Sequence, residues 1–171
     1  NDKSTFGVLI NGNVNHADLN SDGRTNIIYQ PTNVLNRILV AQNMTNQDQI
    51  NTNFNLNFRN VQKDGREFSL DADYGLFRID RNQLQPNTYW NPDYTVKQNE
   101  FIYRFITPTN IDIYSLKGDY EQNYKKGKLG YGFKTSQVKT DNNFGRYNVV
   151  SNADVLDLDR SNRFDYSENI N

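Results

Sequence analysis

Residues 50–58 alternate between asparagine and a less polar side chain at every position, and no other feature constrains the fold of this chain as strongly. Successive side chains of a β-strand point to opposite faces, so the pattern predicts a strand with an apolar face and an amide face. Asparagine makes up about one residue in six of the whole chain, and it is a poor helix former. The sequence therefore predicts an all-β protein.

The stretch 66–76 repeats this alternation, and the segment between the two strands fits a hairpin loop. A three-residue loop ending at Gly65 sets Phe58 opposite Leu70 and keeps the apolar residues on one face. A two-residue loop would set Phe58 opposite Asp71 and mix the faces. Three-residue hairpin loops end in a left-handed residue that is usually glycine, and Gly65 supplies it. Turn chemistry and face pattern therefore predict the same hairpin.

A second tight hairpin is predicted near Lys126-Gly127. A two-residue loop there sets Tyr124 opposite Leu129. In the strand before it, Ile111 and Ile113 have the wrong parity for the apolar face, and a β-bulge would reconcile them.

Six long strands are predicted in all, as an antiparallel meander. They cover 4–15, 49–61, 66–81, 110–124, 128–140 and 162–170. Ordinary strands have ~5–6 residues and tilted membrane strands ~9–11, so these lengths favour a membrane sheet. Tight turns at one end alternate with long connections at the other, over 16–48, 82–109 and 141–161. Within these connections, 27–29, 38–40 and 101–103 could continue strands above the membrane. This is the layout of an outer-membrane β-barrel, so residues 1–171 are predicted to be part of a large transmembrane barrel.

Composition excludes several classes of function. Cysteine is absent and His16 is the one histidine, which excludes disulfides, thiolate catalysis and a His-based metal triad. The net charge is −1 without a basic patch, so nucleic acid is not expected as a partner. No apolar run of ~18 residues predicts a membrane helix. No Ser-His-Asp set or phosphate loop is found, so the chain is not expected to be an enzyme.

Several further stretches carry a family resemblance. They are FGVLINGN at 6–13, SDGRT at 21–25, NFNLNF at 53–58, LDADY at 70–74, the hairpin 119–129 and RFDYSENIN at 163–171. Together they resemble the barrel of TonB-dependent receptors, in particular the outer-membrane protein β-barrel group of that superfamily. The resemblance implies an outer-membrane location and uptake of a large, scarce nutrient or metal complex. It also implies a plug and a TonB box, which are not among these residues, so coupling to the TonB system is expected through regions absent from this chain.

One segment has the spacing of a calcium loop. Asp18, Asn20 and Asp22 precede Gly23 as the first oxygen ligands precede the glycine of an EF-hand loop. The twelfth position is Tyr29, where such a loop needs a bidentate carboxylate. A Ca²⁺ site and a metal-free, Asx-rich loop tip both stay open as interpretations.

Three aromatic residues fall in the predicted loop 82–109: Tyr89, Trp90 and Tyr94. Their rings, beside Asn and Asp side chains, could stack on a sugar-like ligand or anchor a partner. The alternatives are a loop held down by its own rings, or an aromatic girdle at the membrane boundary.

The apolar face of these strands is predicted to contact outer-membrane lipid, and the face that carries Asn and Asp is predicted to line a water-filled lumen. The lipid-facing set is Phe54, Leu56, Phe58, Phe68, Leu70 and Tyr74. A competing hypothesis is a soluble cell-surface adhesion or carbohydrate-binding module, in which the same residues pack against a second sheet. An isolated six-strand sheet has two open edges and a bare apolar face, so the fragment by itself is expected to self-associate.

Overall fold

The computed structural model describes residues 3–171, which form one antiparallel sheet. Its strands are β1 (Lys3–Tyr29), β2 (Val34–Val61), β3 (Glu67–Trp90), β4 (Lys97–Ile106), β5 (Thr109–Tyr124), β6 (Gly127–Val150), β7 (Ala153–Leu156) and β8 (Asn162–Ile170). A short 3₁₀ helix, Leu158–Arg160, separates the last two strands. Within the described residues, no helix is long and apolar enough to cross a bilayer. Residues 1 and 2 of the predicted domain lie outside the described part.

The eight strands amount to six in space, because two pairs are single strands with an interruption. β4 and β5 keep one register against β3 and against β6, and they break only around Pro108, which has no N–H to donate. The N–H of Thr107 still bonds to the carbonyl of Arg81 at 2.9 Å. β7 and β8 both pair with β6, on either side of the 3₁₀ helix. The predicted antiparallel meander of six long strands is confirmed.

The three predicted long loops are wrong, because most of their residues extend the strands. β2 has 28 residues and β3 and β6 have 24 each. The connections that remain are short and cover 30–33, 91–96 and 151–152. Apart from the rings at 101, 103 and 105, the strand extensions carry Asn, Gln, Asp and Thr on both faces, so they lack the two-residue alternation by which the other strands were recognised.

The hairpin between β2 and β3 is confirmed in both turn type and register. Phe58 pairs with Leu70, and Gly65 adopts the left-handed conformation with φ of 83°. The N–H of Gly65 donates to the carbonyl of Gln62 at 3.0 Å, and the N–H of Gln62 donates to the carbonyl of Arg66 at 2.8 Å.

The predicted register of the second hairpin is wrong by two residues. Tyr124 pairs with Gly127, and Leu129 pairs with Gln122 rather than with Tyr124. The left-handed residue is Lys125, with φ of 54°, so the loop is Lys125-Lys126. A shift of two residues leaves every side chain on its original face, so the face pattern could not have detected it.

The predicted bulge before this hairpin is absent from the described strand. The register of β5 is unbroken against both neighbours, and Ile111 pairs with Phe77 while Ile113 pairs with Gly75. Both isoleucines therefore lie on the face opposite Phe54.

The two faces of the sheet are named here by one residue each. The Phe54 face holds the six predicted lipid-facing residues, since Phe54 pairs with Tyr74 and Phe58 with Leu70. Phe54 stacks on Tyr74 at 6.0 Å between ring centroids, and Tyr74 stacks on Tyr114 at 4.9 Å. The Asn53 face is the opposite one. A single layer has almost no core, and Ile38 is the one large side chain fully buried among the described residues.

Candidate functional site

An apolar band crosses the Phe54 face near the end where β2 turns into β3. It consists of Phe6, Val8, Ile10 and Val14 on β1, Ile50, Phe54, Leu56 and Phe58 on β2, Phe68, Leu70, Ala72, Tyr74 and Leu76 on β3, Tyr114, Leu116, Tyr120 and Tyr124 on β5, and Leu129, Tyr131 and Phe133 on β6. These side chains are exposed far beyond what a soluble sheet tolerates, and Val14 is 79% exposed. No second layer covers them within residues 3–171.

The upper limit of this band descends from strand to strand. The first residues above it with a charged, imidazole or amide side chain are His16, Asp48, Arg78, Asp112 and Gln137, on β1, β2, β3, β5 and β6. His16 and Asp48 are paired, but Arg78 lies two residues below the partner of Asp48. The same step of two residues recurs from Arg78 to Asp112 and from Asp112 to Gln137.

This descent measures the tilt of the strands against the apolar band. Projected onto β3, the limit runs from Asp80, the partner of Asp48, to Tyr74, which shares a row with Gln137. That is about 20 Å along the strand over about 19 Å across four strand spacings, which gives a tilt of about 45°. Strands of outer-membrane barrels are tilted by ~35–45°. The band is therefore level only if the strands are inclined as in a membrane barrel.

The Asn53 face is polar at the height of the band. The Asn55 amide donates to Asp73 at 2.7 Å, and the Asn53 amide donates to Asn11 at 3.1 Å. This side is also the more shielded one. Over 41–49 of β2, every residue on the Asn53 face is half-buried and every residue on the Phe54 face is exposed. On this part of β2 the Asn53 face is thus the more crowded side.

Above the band the polarity of the two faces is exchanged where β3, β5 and β6 lie side by side. The Phe54 face there carries Arg78, Asp112 and Lys139, with an ion pair of 2.7 Å between Arg78 and Asp112. The Asn53 face carries Phe77, Phe105, Ile111, Ile113, Val138 and Phe144. Phe105 and Phe144 stack at 5.9 Å. Above the band the Phe54 face is thus charged, while apolar side chains pack on the Asn53 face.

The structure separates the three predicted aromatic ligand residues. Trp90 lies on the Phe54 face, where its ring is 4.8 Å from that of Tyr94 in the 91–96 turn. Tyr89 lies on the Asn53 face, in edge-to-face contact with Phe101 at 6.0 Å. The guanidinium of Arg37 covers the Tyr89 ring at 5.0 Å. Neighbouring strand residues point to opposite faces, so Tyr89 and Trp90 do not form one site.

Sequence reasoning missed a set of rings next to Tyr89 on the Asn53 face. Phe101, Tyr103 and Phe105 follow each other at two-residue spacing along β4, and the guanidinium of Arg146 lies 4.4 Å from the Tyr103 ring. Arg146 is held by Asp157 at 2.6 Å, in the least exposed ion pair of the described chain. The alternation of these three rings was the available signal, and from it the sequence indicated only that 101–103 could continue a strand.

The predicted calcium ligands lie in an extended strand. Asp18, Asn20 and Asp22 are consecutive residues of the Phe54 face of β1, at about 6.6 Å intervals. An EF-hand-type loop must curl around the ion, which an extended strand cannot do. Asp18 instead accepts a hydrogen bond from the Asn46 amide at 2.9 Å. The described residues contain no group of three or more His, Cys, Asp or Glu placed to hold a metal ion.

Comparison with known families assigns the class of this sheet. A family model described as the outer membrane protein beta-barrel family matches residues 59–171, about two thirds of the chain. The chain belongs to this family. No curated protein and no solved structure matches it.

Family membership places this barrel protein in the outer membrane. The match begins at Arg59, near the end of β2, so β1 and most of β2 precede it. Those two strands nevertheless continue the sheet, and their apolar residues continue the band across unbroken pairings with β3. The barrel wall therefore extends beyond the matched region.

A row of charges borders the band of the barrel. The His16 ring lies between two carboxylates, with Nδ1 2.7 Å from Asp48 and Nε2 3.4 Å from Asp18. The hydrogen bond to Asp48, reinforced by both negative charges, raises the pKa of His16 above its usual value. The sequence alone does not show these partners of His16, because it does not show that β1 and β2 pair at this height. The imidazolium form is therefore favoured at the band's edge.

Proposed function

We propose that this chain forms part of the barrel wall of a TonB-dependent receptor, which binds a nutrient or metal complex at the cell surface and takes part in its uptake. The observation that carries the proposal is the height of the wall. A barrel that only spans a bilayer needs ~9–11 residues per strand, whereas β2 has 28. The additional residues extend the sheet above the band, and aromatic rings and arginines lie on the Asn53 face of this extension. A wall of this kind suits capture of a large ligand before transport.

In this proposal the apolar band contacts lipid. Phe54, Leu56, Phe58, Phe68, Leu70 and Tyr74 lie within it. The soluble adhesion or carbohydrate module of the competing hypothesis would need a second layer over these residues, and the described chain folds as a single sheet. The nutrient enters along the Asn53 face, and coupling to the TonB system runs through regions outside residues 1–171.

Nutrient-limited growth of the source bacterium tests the receptor role. Deletion of the gene should abolish growth on at least one scarce nutrient or metal complex, and deletion of the energising TonB protein should produce the same defect. Complementation with the full-length gene should restore growth in the first strain and not in the second. Uptake that continues without the TonB protein would overturn the proposal.

A further inference from the structure

A cleft opens at the top of the wall, where β6 ends at Val150 and β4 continues beyond it. The two strands pair from Ile102–Val149 down to Ile106–Gly145, and above that point no pairing between them is found in the described chain. The gap is about 420 Å³. Its lining includes Phe101 and Tyr103 from β4 and Asn148 from β6. Small-molecule sites have volumes of ~300–1,000 Å³, so the cleft has room for a compact ligand.

The two rings of the cleft are held in place before any ligand arrives. Phe101 is 50% exposed, and its edge-to-face contact with Tyr89 fixes the orientation of the ring. Tyr103 is covered on one side by Arg146, which the nearly buried ion pair to Asp157 immobilises. An open ring face that needs no rearrangement binds with little loss of conformational entropy.

Three uncharged polar side chains of the cleft have no partner in the described chain. The side chains of Asn148, Ser151 and Asn152 make no hydrogen bond within residues 3–171. Ser151 and Asn152 have φ of 50° and 63°, so a two-residue turn of the type I′ class sets their positions. Two amides and a hydroxyl together offer both donors and acceptors. They can therefore bind neighbouring hydroxyl groups, each of which donates and accepts.

The cleft has no unbalanced positive charge. Neither Lys nor Arg is among the described residues that line it. Its one carboxylate, Glu100, accepts hydrogen bonds from Lys97 at 2.8 Å and from Thr88 at 3.1 Å. The bond from Lys97 lowers the pKa of Glu100, which keeps it ionised and paired. Phosphates and acidic ligands would therefore find no cation beside the cleft that is not already paired with a carboxylate, since Lys97 is paired with Glu100 and Arg146 with Asp157.

We propose that this cleft binds one or two residues of a neutral carbohydrate, with a sugar ring lying against Phe101 and its hydroxyls on Asn148, Ser151 and Asn152. A sugar ring has an apolar C–H side and a hydroxyl-bearing edge, which matches the juxtaposition of rings and unpaired amides. A wholly apolar ligand would leave those amides desolvated and unpaired. The inference rests on the receptor role proposed above, and it names the substrate class of that receptor.

Binding of defined oligosaccharides to the full-length protein in detergent tests the assignment. The probes are maltohexaose, cellohexaose and mannohexaose as neutral sugars and trigalacturonate as an acidic one, measured by titration calorimetry. At least one neutral hexaose should bind, and trigalacturonate should not. Phe101→Ala should weaken the binding at least tenfold, and Asn148→Ala severalfold. Phe164→Ala is the matched control, because Phe164 is 56% exposed on β8 of the same sheet and lies outside the cleft.

The outcomes separate this inference from the receptor role. Absence of binding for all three neutral probes at millimolar concentration, preference for the acidic probe, or undiminished binding by Phe101→Ala would each overturn the carbohydrate assignment. TonB-dependent uptake of another nutrient would then still support the receptor. Conversely, sugar binding in a protein whose deletion leaves TonB-dependent growth unchanged would retain the site and refute the receptor role.

Discussion

A charge placed within the apolar band should destabilise the full-length barrel far more than the same charge on the same strand above the band. Leu56 and Met44 both lie on the Phe54 face of β2, and they are 49% and 41% exposed. They are twelve residues apart, about 40 Å along the strand and about 28 Å in height at a tilt of 45°. With a hydrocarbon core ~30 Å thick, Met44 then lies outside it.

Leu56→Arg should therefore destabilise the protein by about 2–4 kcal/mol, as arginine does near the midplane of membrane barrels. Met44→Arg should change the stability by no more than about 1 kcal/mol. The measurement is a reversible urea titration of the full-length protein in phospholipid vesicles, followed by far-UV circular dichroism. Equal destabilisation by the two substitutions would refute the assignment of the band to lipid, since exposure alone does not distinguish the two sites.

Four further outcomes follow from named contacts. Gly65→Ala should destabilise the protein by about 1–2 kcal/mol in the same urea titration, because φ at this position is 83° and the added methyl group meets the Asn123 amide. The pKa of His16, followed by NMR, should lie above ~6.5 and fall in Asp48→Asn, and its stabilising effect should be complete below that pH and be lost as the pH rises through the folded value. Asp157→Asn should destabilise by about 3 kcal/mol, whereas Asp165→Asn, which disrupts an exposed pair, should stay within about 0.5 kcal/mol. The isolated segment, if soluble, should be a dimer or larger in light scattering, because its apolar band and sheet edges are uncovered, and a monodisperse monomer would contradict this.

The sequence was sufficient to predict strand register where the two faces of a strand differ in polarity. Between Ile50 and Leu76 one face belongs to the apolar band and the other carries amides and carboxylates. The two-residue alternation is therefore visible, and the Gly65 loop fixes the register. The alternation carries no information on a shift of two residues, which is why the Lys125 hairpin was placed in the wrong register. Only the conformation of the turn itself distinguishes those two pairings.

The candidate ligand cleft was beyond reach of the sequence for a different reason. Phe101 and Asn148 are far apart in the chain, and they meet only because β4 pairs with β6 in a register that no local pattern specifies. The predicted aromatic site was wrong for the opposite reason, because residues close in the chain proved to be apart in space. Tyr89 and Trp90 are adjacent in the chain, and adjacency in a strand places two side chains on opposite faces. Neighbourhood in sequence was therefore misleading once the loop proved to be a strand.

Ile111 and Ile113 show how the membrane boundary can be located within a strand. If all apolar residues of the strand lay on one face, these two isoleucines would be exceptions, and a β-bulge was expected to bring them onto that face. The unbroken register shows that each parity keeps its face of the sheet. The apolar residues move from the Phe54 face to the Asn53 face, and Asp112 lies on the Phe54 face between the two isoleucines. A run in which the apolar residues change parity without a bulge thus marks the height at which the apolar band ends. The same switch falls at Phe77 and Arg78 on β3, one step higher, as tilted strands require.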